Sequence, residues 1–451
     1  MGSFWKCSCI VLLFVLVGVT SIAFPEDGQV CDVSEKKTTT PPIIDLSSLI
    51  DSSATSEARA AVVQSIGDAC RRWGFFQVVN HGVGHESIDS FSKAMQDFFH
   101  LDTPTKKLVS RTADNSRGFA DDELTKQRVD LKELFDVGHV PRPDLAPDDP
   151  LNHVLDGYNQ WPTNPPNFES AVMDYYNNCA SLSASLMAAI AESLGLPESF
   201  FDSSLGGNHT SYLRLNWYPI FEANGGTSKG SDATALGVSR HTDAGALTVL
   251  LQDTVSALEV YSGTKEDAGD GQWMPVEPVP GAFTINLGDM IQVRCLFLGF
   301  MCFSCTSRCT FTLASRNVCC TTYGSLAYLN SCVDLLMHQV WTNGLYAAPE
   351  HRVRRSTSAE RFSAPFFYNP SYSADVQPMP LTRSVYEAVL KSAGTASAED
   401  AEAISVPEAE LESRMKPRYE PISWGYFRRR RFLGDFADHG KDIQIEDYLI
   451  E

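Results

Sequence analysis

The spacing of apolar residues predicts helices in the first half of the chain. Between Glu169 and Leu194 apolar side chains recur at helical intervals, which predicts one long amphipathic helix that supports a sheet through its apolar face. The residues that define this face are Val172, Tyr175, Leu182, Leu186 and Ile190. Nearer the N-terminus, the sequence predicts helices at about 56–73 and 87–99 and short strands at 43–44 and 75–80.

From Ser211 onward the pattern changes to short strand-like stretches separated by Gly and Pro turns. Residues 240–253 are predicted as strand, turn and strand, and further strands are expected at 350–353 and 361–368. Short strands at regular spacing favour a jelly-roll or cupin-like barrel. The predicted fold class is therefore mainly β with flanking α, in which a barrel core follows an N-terminal α/β region.

His241, Asp243 and His351 form the most informative chemical pattern. Side chains two residues apart on a strand point to the same face, so His241 and Asp243 are predicted to contact one metal ion from a single strand. A second strand must then supply His351. Two imidazoles and one carboxylate are the facial ligand set of non-haem Fe(II), which leaves coordination positions open. The alternative, that both histidines are ordinary buried and hydrogen-bonded side chains, stays open.

Arg361 and Ser363 form a second pair at the same spacing, shortly after His351. The pair places a guanidinium and a hydroxyl on one face of a predicted strand, which suits a carboxylate. Arg361 could instead be a structural ion-pair partner of Glu350 or Glu360.

Several motifs occur in the order found in a known family. In the second half of the chain they are NWYP at 216–219, HTD at 241–243, NLGDM at 286–290, APEHRV at 348–353 and RFSAPFF at 361–367. In the first half they are PIIDL at 42–46, WGFFQVVNHGV at 73–83, RGF at 117–119 and KELFD at 132–136. Together they resemble the isopenicillin N synthase-like branch of the 2-oxoglutarate- and Fe(II)-dependent dioxygenases. The resemblance extends from about residue 41 to residue 370.

The resemblance implies a double-stranded β-helix around an Fe(II) centre, with His241, Asp243 and His351 as ligands. It implies 2-oxoglutarate and O2 as co-substrates, and oxidation of a C–H bond of a small organic substrate with release of succinate and CO2. Hydroxylation is the usual outcome in such a family. The sequence does not identify the substrate or the oligomeric state.

The resemblance also assigns the co-substrate residues. Arg361 and Ser363 would hold the far carboxylate of 2-oxoglutarate, and Tyr218 and Asn216 match positions that help to hold the same molecule. Three alternatives remain at this stage. The chain could be an iron-dependent oxidase of the isopenicillin N synthase type that does not use 2-oxoglutarate, or a non-catalytic cupin-like binding protein. It could also be inactive as written, because an insertion precedes His351.

The motifs and the hydrophobic pattern divide the chain into regions. The predicted regions are a signal peptide or membrane anchor at 1–23, a linker at 24–40, an N-terminal dioxygenase domain at 41–165, a long support helix at 166–205, a catalytic dioxygenase domain at 206–371 and a C-terminal helical tail at 372–451.

Residues 7–24 carry no charge and follow Lys6, and small residues near position 22 suggest a cleavage site. We therefore expect the secretory pathway or a membrane attached through this segment, and otherwise the cytoplasm.

The net charge restricts the partners. It is −20, from 36 basic and 56 acidic residues, which argues against non-specific binding of nucleic acid. The expected partner is a small-molecule substrate, and membrane contact is expected only through an uncleaved N-terminal segment.

Residues 293–339 interrupt the family pattern. Seven of the 12 cysteines fall in this segment, and with His338 they suggest either a zinc site or a disulfide knot. Gln-Val flanks the segment on both sides, as at 292–293 and 339–340, which matches the codons expected at intron borders. We interpret the segment as a translated retained intron that divides one hairpin strand running from Ile291 to Trp341, since a long structureless insert in a compact domain is uncommon.

Overall fold

A computed structural model describes a large part of the chain. The described residues are 40–112, 115–125, 128–139, 157–207, 209–220, 236–261, 272–291, 342, 346, 348–379, 381–392, 406–416 and 420–436. Residues 1–39, which include the predicted signal peptide or anchor, lie outside the described part, as does the predicted insertion at 293–339 with its cysteines. Among the described helices, none has the length and apolar character needed to cross a membrane.

Two sheets form the centre of the fold. In chain order the strands are β1 (Ile43–Asp45), β2 (Phe75–Val79), β3 (Gly118–Ala120), β4 (Leu124–Thr125), β5 (Arg128–Val129), β6 (Glu133–Gly138), β7 (Tyr212–Tyr218), β8 (Val238–His241), β9 (Leu247–Gln252), β10 (Leu258–Tyr261), β11 (Trp273–Pro275), β12 (Phe283–Leu287), β13 (His351–Val353), β14 (Arg361–Tyr368), β15 (Asp375–Val376) and β16 (Ile422–Ser423). The major sheet has the order β1-β2-β12-β9-β14-β7-β6-β3, and the minor sheet has the order β11-β10-β13-β8.

The two sheets face each other across an apolar layer. Phe75 and Tyr218 from the major sheet pack against Val238, Val260 and Val353 from the minor sheet. Except for the parallel pair β1–β2, neighbouring strands of both sheets are antiparallel. This is the arrangement that the predicted barrel requires.

Helices surround the two sheets, and those of the first half of the chain make the contacts with the major sheet. In chain order they are α1 (Ser47–Ile50), α2 (Ser56–Arg72), α3 (His85–Phe99), α4 (Thr103–Lys107), α5 (Phe168–Ser193), a 3₁₀ turn (Glu198–Phe201), α6 (Asp202–Leu205), α7 (Arg383–Ser392), α8 (Glu408–Met415) and α9 (Trp424–Phe436). The predicted helices and strands of the first half are therefore present with small shifts at their ends. Thr55 begins α2 by accepting a hydrogen bond from the Ala58 amide at 3.2 Å, a cap that contributes about 1 kcal/mol.

The predicted long support helix is confirmed as α5. All five apolar positions that defined it are buried, and the helix packs on β9 and β14 of the major sheet. Burial of each large apolar side chain contributes roughly 1.5–3 kcal/mol. The helix ends at Ser193, within one residue of the predicted end at Leu194, because Gly195 adopts φ +70° and the amides of Gly195 and Leu196 turn back to the last carbonyls. The rest of the region assigned to it, up to residue 205, forms the 3₁₀ turn and α6.

Strands from the N-terminal region complete the major sheet. β2 pairs with β12, and β6 pairs with β7. The region before residue 166 and the barrel therefore share one continuous sheet, and side chains from both contribute to its inner face.

The C-terminal region is more than a helical tail. β16 pairs with β15, and the Trp424 side chain at the start of α9 is buried, with its Nε1 donating to Thr210 Oγ1 at 2.8 Å. The basic run of this region begins on α9, where the guanidinium of Arg428 donates to the Tyr372 hydroxyl at 3.2 Å. The region contains helices, as predicted, but the sequence did not predict β15 and β16, because the pairing partner of β16 precedes it by many residues, which a local pattern does not reveal.

The residues that flank the predicted insertion lie close together. The Thr342 hydroxyl donates to the Ile291 carbonyl at 2.8 Å. Ile291 lies in a turn, where its amide donates to the Gly288 carbonyl at 2.9 Å, so the prediction that Ile291 begins a hairpin strand is wrong. The turn forms because Gly288 lets the backbone approach the loop around Gly245 without a Cβ in the way.

We expect a chain without residues 293–339 to fold and to bind iron. The Ile291–Thr342 hydrogen bond shows that the chain on the two sides of the segment already meets. The segment is therefore a closed loop, and its removal also removes a loop-closure cost of roughly 3 kcal/mol. Thermal unfolding of the full and shortened chains, each with and without Fe(II), measures the difference. Loss of folding or of iron binding in the shortened chain would show that the segment belongs to the fold.

Candidate metal centre and co-substrate pocket

His241, Asp243 and His351 lie together at one end of the minor sheet. His241 ends β8, His351 begins β13, and the two residues are paired in register. One ligand atom from each of the three residues lies within 4.8 Å of the others. Asp243 Oδ1 is 3.6 Å from Nε2 of both histidines. The prediction that one strand carries both His241 and Asp243 was wrong in detail, since β8 ends at His241 and Asp243 lies in the following loop.

The backbone fixes which nitrogen each histidine presents. His241 Nδ1 lies 2.8 Å from the Ser239 carbonyl, and His351 Nδ1 lies 3.3 Å from the Pro349 carbonyl. A carbonyl only accepts, so Nδ1 carries the proton and Nε2 presents its lone pair towards Asp243. Burial lowers the pKa of His241, and the neighbouring His351 lowers it further, which favours the neutral imidazole that a metal requires.

Asp243 is held by two hydrogen-bond donors. Its Oδ2 accepts from Thr248 Oγ1 at 2.6 Å and from Asn286 Nδ2 at 2.8 Å. Burial alone would raise the pKa of Asp243, but the pKa is lowered overall, and both of these hydrogen bonds act in that direction. The carboxylate is therefore ionised, and Oδ1 is the oxygen that faces the histidine nitrogens. This donor set of two neutral imidazoles and one carboxylate fits Fe(II).

Two of these contacts come from residues to which the sequence assigned no role. Asn286 and Gly288 belong to the NLGDM motif, and Thr248 follows the HTD motif in β9. Asn286 and Thr248 are paired in register on neighbouring strands, so both side chains reach the same carboxylate oxygen. The motif was visible in the sequence, but its function depends on this long-range pairing.

Arg361, Ser363, Tyr218 and Asn216 lie on one face of the major sheet. Arg361 is paired in register with Tyr218, and Ser363 is paired with Asn216. The Arg361 guanidinium carbon lies 5.1 Å from the centre of the Tyr218 ring. These four residues share the inner face with Thr248, which contacts Asp243, because residues two apart on a strand point the same way.

The Arg361 guanidinium is buried and incompletely paired. The residue is 1% exposed, and one terminal nitrogen donates to Gln252 Oε1 at 3.0 Å. Its Nε and Nη1 have no hydrogen-bond partner among the described residues. Neither Glu350 nor Glu360 is its ion-pair partner, since Glu350 pairs with Arg240 and Glu360 contacts His100 and Trp217.

An unsatisfied buried cation is costly unless an anion joins it. Arg361 therefore fits a carboxylate ligand, and the guanidinium fork suits bidentate pairing. The Asn216 side-chain oxygen beside it is also buried without a partner in the described part of the chain, and it can accept a hydrogen bond from a ligand.

Comparison with known families agrees with this geometry. Residues 41–164 match the N-terminal domain family of non-haem dioxygenases in morphine synthesis. Residues 211–298 and 317–370 match the 2OG-Fe(II) oxygenase superfamily. The gap between the two matched pieces falls inside the predicted insertion.

Curated relatives point the same way. Jasmonate-induced oxygenase 2 of Arabidopsis thaliana is 29% identical over 340 residues, which are 75% of this chain and 72% of the relative. Flavanone 3-dioxygenase 2 of Oryza sativa subsp. japonica is 33% identical over 263 residues, which are 56% of this chain and 64% of the relative.

Solved structures share the fold. A crystal structure of JOX2 in complex with 2OG, Fe and JA has a TM-score of 0.59 and 25% identity, and covers 91% of this chain and 90% of that one. A crystal structure of the dioxygenase for auxin oxidation in rice has a TM-score of 0.53 at 22% identity, and covers 91% of this chain and 99% of that one. The second likeness concerns the fold alone.

The chain belongs to the 2-oxoglutarate- and Fe(II)-dependent oxygenase superfamily, and its core is the double-stranded β-helix of that superfamily. It is an Fe(II)- and 2-oxoglutarate-dependent dioxygenase. The predicted fold class, reaction class and cofactors are therefore confirmed.

We expect Thr248→Val to weaken metal binding roughly 10- to 100-fold, because residues that orient a metal ligand commonly have effects of that size. The substitution keeps the shape of the side chain and removes one of the two donors to Asp243 Oδ2. Anaerobic titration of the metal-free protein with Fe(II) measures the affinity.

Thr284→Val is the matched control. Thr284 is equally buried, lies on the neighbouring strand and accepts from Gln252 instead of contacting Asp243. Equal metal affinity of the two variants would contradict a positioning role for Thr248.

Proposed function

We propose that the chain hydroxylates a C–H bond of a small organic substrate. One O2 and one 2-oxoglutarate would be consumed for each hydroxyl group formed, with one succinate and one CO2 released. The observation that carries the proposal is the incompletely paired Arg361 guanidinium on the same inner face as Thr248, which contacts Asp243. A ligand carboxylate would complete the hydrogen bonding of this guanidinium, and 2-oxoglutarate supplies one.

Each candidate residue has a proposed role. His241, Asp243 and His351 would hold the iron through Nε2, Oδ1 and Nε2. Arg361 would pair with the far carboxylate of 2-oxoglutarate, and Ser363 would donate its hydroxyl to the same group.

Tyr218 and Asn216, which lie on the neighbouring strand, would contact the co-substrate from one side. Bound iron supplies the redox chemistry that couples decarboxylation of 2-oxoglutarate to oxidation of the substrate. The side chains fix the geometry and keep bulk water from the site.

The substrate is proposed to have an apolar skeleton. Tyr212 and Phe367 lie on the same inner face, paired in register on β7 and β14 four residues from Asn216 and Ser363, and their ring centres are 4.6 Å apart. Both rings are only half-buried, although most large side chains of this face are fully buried. The parts of these rings that remain accessible favour contact with an apolar molecule, while the guanidiniums of Arg117 and Arg214 lie 5.6 and 5.8 Å from the centre of the Tyr212 ring. The names of the relatives, which include jasmonate, flavanone and homoarginine, are too diverse to identify one substrate.

The proposal predicts succinate release that depends on Fe(II), 2-oxoglutarate and O2. A panel of small organic acids and aromatic metabolites, followed by mass spectrometry for one added oxygen atom, would identify the substrate. Both the full chain and the chain without 293–339 should be assayed. No succinate release from either chain with any candidate would contradict the proposed reaction.

We expect Arg361→Gln to weaken 2-oxoglutarate binding roughly 10- to 100-fold. The substitution removes charge-assisted hydrogen bonds that are each worth about 1.5–3 kcal/mol, and about 1.4 kcal/mol corresponds to a factor of ten. Anaerobic calorimetry in the presence of Fe(II) measures the affinity directly.

Arg383→Gln serves as the control, since Arg383 is exposed and pairs with Glu408 and Glu387 on the surface. It should bind 2-oxoglutarate like the unchanged chain. If Arg361→Gln also bound it normally, the assignment of Arg361 would be wrong.

We further propose that residues 1–23 direct the chain into the secretory pathway. The support is the uncharged apolar run that follows Lys6. A fluorescent protein fused after residue 40 should be exported or membrane-bound, and the same fusion without residues 1–23 should stay in the cytoplasm. Cytoplasmic fluorescence from both fusions would contradict the proposal.

A further inference from the structure

His241 lies on an edge strand whose pairing is interrupted next to the metal centre. β8 stands at one end of the minor sheet, with β13 as its neighbour among the described strands. His241 is paired with His351, and the next pair is Val238 with Val353. Three steps along β8 thus correspond to two along β13, so a β-bulge breaks the ladder directly beside the histidines. Backbone pairing alone therefore restrains the two strands less at this point than a regular ladder would.

An ion pair joins the same two strands beside the histidines. Arg240 precedes His241 in the chain, and Glu350 precedes His351. The Arg240 guanidinium pairs with the Glu350 carboxylate, and the side chains are 42% and 16% exposed. The pair is thus partly shielded from water, and it connects the two chain segments that supply the histidine ligands.

Aromatic rings fix the position of the Arg240 guanidinium. Its carbon lies 5.0 Å from the centre of the Tyr261 ring and 5.8 Å from that of the Trp273 ring. These two residues are paired in register on β10 and β11, and their ring centres are 5.2 Å apart. Since Val260 faces the apolar layer between the sheets, its neighbour Tyr261 points to the outer face. Arg240 therefore reaches from the edge strand β8 across β13 to β10, on the side of the sheet away from the apolar layer.

Glu350 is fixed through its backbone. Its carbonyl accepts a hydrogen bond from the Tyr261 amide at 2.9 Å, which ties the residue to β10. The carboxylate therefore meets Arg240 from a defined position. The nearby guanidinium of Arg352 pairs with Glu259 instead, at 2.7 Å, so a different carboxylate serves that arginine.

We propose that Arg240 and Glu350 are positioning residues that fix the spacing of the two histidines of the iron site. Their ion pair joins β8 to β13 where the bulge interrupts the ladder, and neither residue is assigned as a ligand. The pair would hold the imidazoles in the arrangement in which both Nε2 atoms lie 3.6 Å from Asp243 Oδ1. Groups that orient metal ligands strengthen metal binding. The inference rests on the proposed function, because it concerns the same iron site.

The test removes the ion pair one charge at a time. Arg240→Gln and Glu350→Gln each remove one charge, the double variant removes both, and Arg240→Lys keeps the positive charge. Arg59→Gln is the matched control, because Arg59 forms a comparably exposed ion pair with Glu192 that joins α2 to α5. Two measurements are made on the metal-free full chain: anaerobic titration with Fe(II), and the visible absorption spectrum after addition of Co(II), which binds nitrogen and oxygen sites of this kind.

We expect Arg240→Gln and Glu350→Gln each to bind Fe(II) about fivefold more weakly, the upper range for loss of a partly exposed ion pair. The common direction is diagnostic. Simple attraction through space would make loss of the positive charge strengthen cation binding and loss of the negative charge weaken it.

The double variant should bind Fe(II) like either single variant, because each charge acts through the other. The Co(II) spectrum of all three should differ from that of the unchanged chain, since these absorption bands depend on the positions of the ligand atoms. Arg240→Lys and Arg59→Gln should match the unchanged chain in both measurements.

Several results would overturn the inference. Unchanged Fe(II) affinity of Arg240→Gln would do so, as would shifts of opposite sign in the two single variants or an equal loss in Arg59→Gln. A loss in the double variant equal to the product of the single losses would show that the charges act independently. Weaker binding with an unchanged Co(II) spectrum would exclude a positioning role. If the unchanged chain bound neither ion, the proposed iron site itself would fail, which is a distinct result.

Discussion

The pairing register of β14 with its two neighbours is the constraint on which the site depends. β14 pairs with β7 on one side and with β9 on the other. Because side chains alternate along a strand, a shift of one residue would turn Arg361 and Ser363 to the outer face, where the long helix α5 packs. The same register sets Thr248 on the inner face, where it reaches Asp243. One set of backbone hydrogen bonds thus aligns the metal centre with the groups proposed to bind the co-substrate.

The inner face of this barrel is unusual for a protein interior in its content of polar groups. Such groups are tolerated in a core only when they are hydrogen-bonded or paired. Most of them are satisfied within the protein, as the Glu123–Arg214–Asp136 network illustrates. Arg361 and Asn216 are exceptions among the described residues, and their unsatisfied atoms mark where a ligand is needed. The distribution of satisfied and unsatisfied groups therefore separates the supporting wall from the binding site.

The sequence predicted those features that have a local signature. The strand Arg361–Tyr368 was expected at its observed bounds, and the apolar stripe of α5 identified the helix to within one residue at each end. The clustering of His241 with His351 followed from the family motifs. The features it missed depend on partners far away in the chain. Thr248 and Asn286 meet through strand pairing, and β16 pairs with β15 across two helices that lie between them in the chain. The expected strand at Ile291 failed because a Gly288 turn that packs on the metal loop determines the local path.

The shared major sheet has a consequence for how the chain can be divided. Two families match different parts of the chain. In the major sheet, however, β12 has β2 as its neighbour and β7 has β6, so both edges of the block of catalytic strands pair with a strand from the first region. A fragment that begins after residue 165 would present two open edges, and open edges recruit other chains and promote aggregation. The two regions are thus separate in sequence comparison but form a single unit of cooperative folding. Evolution can exchange their loops, but it cannot recombine the regions freely.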